Sequence, residues 1–102
     1  MLIERRELEM APLLAKLVED LHASLDLRRA SVDTLFETLH AALPALSERE
    51  RHILFARYNN RSASTFADLA KRYAISRQRV HQIERDALTK LRTAFHAAFT
   101  AP

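Results

Sequence analysis

Between positions 77 and 85 lie six side chains that can hydrogen-bond a polyanion or a base edge: Arg77, Gln78, Arg79, His81, Gln82 and Arg85. At 100° per residue, Arg77, Gln78, His81, Gln82 and Arg85 share one side of a helix, and Val80, Ile83 and Ala87 share the other. An arginine fork matches the two major-groove acceptors of guanine, and a glutamine amide matches the acceptor and donor of adenine. Arg77, Gln78, His81 and Gln82 are therefore candidate base readers. Arg79 points away from the centre of that face and suits a phosphate, as do Arg85 and, just upstream, Lys71 and Arg72. Arg77 and Arg79 stand in a first helical turn, where the helix dipole disfavours a cation by roughly 0.3–1 kcal/mol. A local rule broken without structural gain points to function.

These side chains need a rigid mount, and residues 65–85 supply it. Phe66, Leu69, Ala70 and Tyr73 have helical spacing, with Thr65 placed to cap their helix and Asp68 three residues on. Tyr73-Ala74-Ile75 turns the chain, and Ser76 is a natural N-cap for the next helix. Small Ala70 permits a close crossing, and Leu69, Ile75, Val80 and Ile83 supply the apolar contacts. This is the pattern of a helix-turn-helix, in which the first helix braces the second and the second enters a DNA major groove. The functional residues to be expected are those on its exposed face.

A chain of 102 residues suits one small domain. It has no cysteine, which excludes disulfides and thiol chemistry and is compatible with a reducing cytoplasm. It has no glycine either, so tight hairpins and phosphate-cradling loops lose their usual residue, and an all-α chain is expected. No apolar run approaches the roughly 20 residues of a membrane span, and MLIERRELEM does not read as a signal peptide. The formal net charge of +3 conceals a division. Residues 1–46 carry five Lys/Arg against eight Asp/Glu, a net −3, and residues 47–102 carry eleven against five, a net +6. The basic half coincides with the helix-turn-helix, as an electrostatic footprint on nucleic acid requires.

Upstream, the charged residues 1–10 either fray or extend a first helix. Pro12 reads as its favoured first residue, followed by the stripe Leu14, Leu17, Val18, Leu21 and Leu25, with an end near Asp26–Arg29. Ser31 caps a second helix with the stripe Val32, Leu35, Phe36, Leu39 and Leu43, which Pro44 stops. The two should form an antiparallel hairpin, residues 1–43, whose stripes serve the core, a second copy or a partner helix. The rest, residues 44–102, forms the DNA-binding domain. Ser47 and Glu50 make a capping box for a helix over about 48–58, with Ile53 and Leu54 inward. Asn59-Asn60 can turn left-handed in place of glycine. The last helix runs from 77 to about 98, with Leu88, Leu91, Phe95 and Phe99 continuing its stripe.

No catalytic set emerges. The histidines at 22, 40, 52, 81 and 96 pair with no second ligand at metal spacing, the serines lack a nucleophile-elbow context, and the carboxylates are scattered. Neither an enzyme nor a bound cofactor or metal is expected. Arg49, Arg51 and Arg57, on the helix before the motif, can serve DNA, a protein partner or solubility alone.

Residues 43–95 resemble region four of the bacterial sigma factors of the sigma-70 family, most nearly the housekeeping and heat-shock types. LPALSERERHILFARY is similar to the region's first half, and STFADLAKRYAISRQRVHQIERDALTKLR to the second. The resemblance implies binding of a minus-35 promoter element by the second half and docking of the first half on the beta-subunit flap of RNA polymerase. It places Arg77, Gln78 and Gln82 at base-reading positions, and Arg79 and His81 near the backbone or groove edge. It also makes Arg49, Arg51 and Arg57 candidates for polymerase contact. Three residues depart from the pattern: Gln78 stands where glutamate is usual, His81 where arginine is common, and Ala74 where a turn glycine is frequent. Residues 1–42 resemble neither the promoter-melting segment nor the polymerase clamp of a sigma factor.

The expectation is a sequence-specific duplex-DNA-binding transcriptional regulator, cytoplasmic and nucleoid-associated, with a homodimer through residues 12–43 as a further hypothesis. The alternative is a polymerase-docking protein: a sigma mimic, part of a split sigma factor, or a region excised from a full one.

Overall fold

The computed structural model describes residues 5–59 and 61–100, and the side chains from residue 7 onward. The described residues are all-α: α1 Arg5–Leu21, α2 Val32–Ala42, a short 3-10 turn Leu43–Ala45, α3 Glu48–Arg57, α4 Phe66–Tyr73 and α5 Arg77–Thr100. α1 and α2 form the N-terminal hairpin, and α3 to α5 carry the helix-turn-helix. α5, about 36 Å long at 1.5 Å per residue, packs against all four other helices.

Two apolar clusters hold the molecule. The larger joins Leu13, Leu17 and Leu21 of α1, Leu39 of α2, Leu54 of α3 and Leu91 and Phe95 of α5, all with essentially no exposed surface. The smaller is internal to the helix-turn-helix: Ile53, Leu69, Ala70, Val80 and Ile83, flanked by half-buried Phe66, Tyr73 and Ile75. The apolar stripes of the hairpin are thus mostly core. Val32 and Leu8 are the large apolar side chains left exposed among the described residues.

The ends of α1 differ from the sequence reading. Pro12 is interior, because the helix already runs from Arg5. A proline there forgoes one backbone hydrogen bond and crowds the carbonyl four residues back, at a cost of about 3 kcal/mol. Met10, one turn before Leu13 and Leu14, is buried with them, and that burial opposes the cost. The helix also stops at Leu21 rather than near Asp26–Arg29. Leu21 O receives the N–H groups of both Ser24 and Leu25. The Asp26 carboxylate accepts the Arg28 N–H at 3.2 Å, a local side-chain bond that competes with helix. Leu25 and Leu27 are buried without being helical.

The other boundaries follow their caps. Ser31 Oγ accepts the Thr34 N–H at 3.1 Å. Ser47 and Glu50 exchange bonds of 3.1 and 2.8 Å, and Thr65 and Asp68 bonds of 3.0 and 3.2 Å, so both capping boxes form. Asn59 is not left-handed; its side chain instead accepts the Arg61 N–H at 2.8 Å. Asn60, the other half of that expected turn, lies outside the described residues.

The turn of the helix-turn-helix is left-handed at Ala74, with φ 55° and ψ 42°. Ile75 N–H reaches back to Ala70 O at 3.0 Å, closing the helix end in the manner glycine usually serves. A Cβ in this region costs about 1–2 kcal/mol. Ala74→Gly is therefore expected to stabilise the fold by about 1 kcal/mol and to raise Tm by roughly 4–8 °C, read by thermal melting.

Candidate nucleic-acid interface

The smaller cluster fixes which side of α5 faces out. Val80, Ile83, Glu84 and Ala87 are buried, and Arg77, Gln78, Arg79, His81, Gln82 and Arg85 are all exposed. Ser76 Oγ accepts the Arg79 N–H at 3.0 Å and starts the helix one residue before Arg77. Lys71 and Arg72, in the last turn of α4, are exposed too, on the element that braces α5. The eight residues expected to meet DNA thus sit on two helices joined by the Ala74 turn.

The face is organised by contacts that residue spacing alone does not reveal. Arg79 Nη1 donates to Gln82 Oε1 at 2.9 Å, and Arg85 Nη2 lies 3.3 Å from His81 Nδ1. The His81 ring meets Phe66 of α4 with centroids 5.1 Å apart and planes tilted by 60°. Arg57 of α3 covers the same phenyl ring at 4.0 Å, a cation–π contact worth roughly 0.5–2 kcal/mol depending on desolvation.

Beneath lies a polar network. Glu84, 6 % exposed, accepts the Tyr58 hydroxyl at 2.8 Å, and its other carboxylate oxygen is 3.6 Å from Arg57 Nε. Arg57 Nη1 donates to Ser64 O at 3.1 Å, fastening the α3–α4 loop. Burial, then the bond to Glu84, pushes the Tyr58 hydroxyl far above the usual phenol range, with the charge of Asp20 adding to the shift. The Tyr58 hydroxyl is thereby held in its protonated, donating form. Arg57 is thereby engaged inside the domain, and Arg51 donates to Leu43 O and Leu46 O at 3.4 and 3.1 Å. Of the three arginines considered for polymerase contact, Arg49 is exposed and the other two are half-buried.

Glu84 and Glu50 are buried carboxylates; the sequence places Glu50 only in the Ser47 capping box and leaves Glu84 among the scattered carboxylates. Their signal was position: Glu84 adjoins Ile83 on the inward side of α5, and Glu50 precedes Ile53 and Leu54 by one turn. Burial pushes the Glu50 carboxyl up, but the Ser47 N–H and the Lys90 ammonium at 3.0 Å outweigh it and hold the carboxyl below its ordinary 4.5. A lowered folded-state value contributes stability above the unfolded value, and that stability is lost as pH falls through the folded value. The Tm advantage of the wild type over Glu50→Gln is therefore expected to shrink steadily below about pH 4.5.

Among the described residues no three His, Asp or Glu gather as metal ligands, and no helix is long and apolar enough to cross a membrane. No solved structure matches the chain. Residues 42–93, from the end of α2 through most of α5, match the family model described as Sigma-70, region 4. With the caps, the turn and the exposed basic helix in place, the chain belongs to the sigma-70 region 4 family and carries its DNA-binding helix-turn-helix domain.

Proposed function

We propose that this protein is a sequence-specific transcriptional regulator that inserts the start of α5, from Arg77, into the major groove of duplex DNA. The observation that carries this is the exposed face of α5, where six polar or cationic side chains stand clear while the opposite face is buried on α4. Arg77, Gln78, His81 and Gln82 read base edges, and Lys71, Arg72, Arg79 and Arg85 meet phosphates. In this reading residues 44–102 are the DNA-binding unit and residues 1–43 a bracing hairpin.

Titration of labelled duplex with the whole chain at several salt concentrations tests the proposal. Affinity is expected to fall linearly on logarithmic axes, and Lys71→Ala to weaken all sequences alike and flatten the slope by about 1. Affinity indifferent to salt would count against the reading.

Members of the family bind RNA polymerase as well as DNA. Docking on the polymerase beta flap is the second reading, favoured by the acidic balance of residues 1–46 and by exposed Arg49. The internal engagement of Arg51 and Arg57 weakens it. Retention of the chain by the isolated flap, undone by Arg49→Ala, would support this role. A homodimer through residues 12–43 would have to rely on Val32 and on half-buried Val18, Leu35, Phe36 and Leu43, since the remaining stripe is core. Sedimentation showing monomer at high concentration would remove it.

A further inference from the structure

Two arginines of α5 each engage an acceptor on a neighbour within the exposed face: Arg79 on Gln82 and Arg85 on His81. A guanidinium has donors only, so the atom facing it must accept. In Gln82 that atom is the amide oxygen, which leaves the NH2 end free. For His81 the Arg85 contact selects the tautomer that accepts at Nδ1 and carries its proton on Nε2. Phe66, held by Arg57, restrains the same imidazole from the α4 side.

We infer that the exposed face of α5 is set as a hydrogen-bond donor surface, with Arg79 and Arg85 positioning Gln82 and His81, and that it selects guanine over adenine and cytosine. This rests on the reading of α5 as the groove-facing helix. Guanine presents two acceptors in the major groove, N7 and O6. Adenine offsets its N7 with the N6 donor, and cytosine presents the N4 donor. For Gln82 to read adenine, Oε1 must accept a second bond while Arg79 already donates to it. The free NH2 of Gln82, the Nε2–H of His81 and the Arg77 fork are donors, and all suit the guanine edge. The amide oxygen has two lone pairs, so Arg79 does not block the adenine pairing of Gln82 but biases the side chain toward its donor end.

The test is the base preference at each pair of a selected duplex, measured with the whole chain and its variants. His81→Ala and Gln82→Ala identify the pairs these residues read. Arg79→Met and Arg85→Met are then expected to reduce discrimination for guanine at those pairs about fivefold or more, beyond any uniform loss of affinity. The preference at the Arg77 pair should hold, and Arg79→Lys and Arg85→Lys should restore part of the loss. Phe66→Leu should weaken discrimination at the His81 pair alone. Uniform weakening with unchanged base ratios would make Arg79 and Arg85 phosphate contacts only and overturn the inference. Adenine preferred at the Gln82 pair would overturn it as well, leaving the DNA reading intact. A chain that selects no sequence would overturn both.

Discussion

Replacing Glu84 with alanine is expected to destabilise the protein by about 2–4 kcal/mol and to lower Tm by roughly 10–25 °C. Glu84 is 6 % exposed and ties α3 to α5 through the Tyr58 hydroxyl at 2.8 Å and Arg57 at 3.6 Å. Its removal leaves a half-buried phenol without its acceptor and a half-buried guanidinium without its counter-charge. Breaking a fully buried pair costs about 3–5 kcal/mol, and the lower range here allows for the 25 % exposure of the Arg57 side chain. Glu84→Gln keeps an acceptor for Tyr58 and should cost clearly less than Glu84→Ala. Equal losses in the two variants would show that the charge on Arg57, not the Tyr58 bond, is what matters. A loss below about 0.5 kcal/mol, the level of an ordinary surface substitution, would refute the network as a support of the fold.

Arg77→Ala carries the largest expected effect on function: a loss of roughly 1–3 kcal/mol on the preferred duplex, with relaxed preference at one base pair. Arg77 is the first residue of α5, exposed, and followed by the exposed Gln78 and Arg79. Its position at a helix N-terminus is electrostatically unfavourable in the free protein. A phosphate approaching that end relieves the conflict, and so does a guanine edge. Because the residue is solvent-exposed, its removal should leave the melting transition within about 0.5 kcal/mol of the wild type. Competition binding against duplexes that differ at single pairs separates the outcomes. Equal weakening on every duplex would assign Arg77 to the backbone rather than to a base.

The elements that position the interface were legible because their signals are local. Ser31, Ser47, Thr65 and Ser76 each accept a backbone N–H three residues on, and a serine or threonine before a helical pattern announces that bond. The inward residues Leu69, Val80 and Ile83 followed from period, as did the exposed face of α5. At Ala74 the resemblance alone drew attention to the turn, by having glycine there, and the positive φ is a finding of the structure. Less legible was whatever depends on a partner distant in sequence. Glu84 and Tyr58 are 26 residues apart, Glu50 and Lys90 are 40 apart, and neither pair has a spacing rule. Arg57 looked like a surface cation because nothing near it in sequence shows that Phe66 and Glu84 converge on it. Leu25 was assigned to a helix by its place in the stripe, and it is buried as the stripe predicts. The helix ends before it, at Leu21, whose carbonyl receives the N–H groups of both Ser24 and Leu25, a turn that apolar period does not record.

The central claim is that the exposed face of α5 reads the sequence of duplex DNA. Selection of bound duplexes from a random pool, with the whole chain at physiological salt, tests it most directly. Enrichment of a short, guanine-containing site is expected, with its preference relaxed at one pair in Arg77→Ala. A pool recovered without any enriched sequence, from wild type and Arg77→Ala alike, would contradict it.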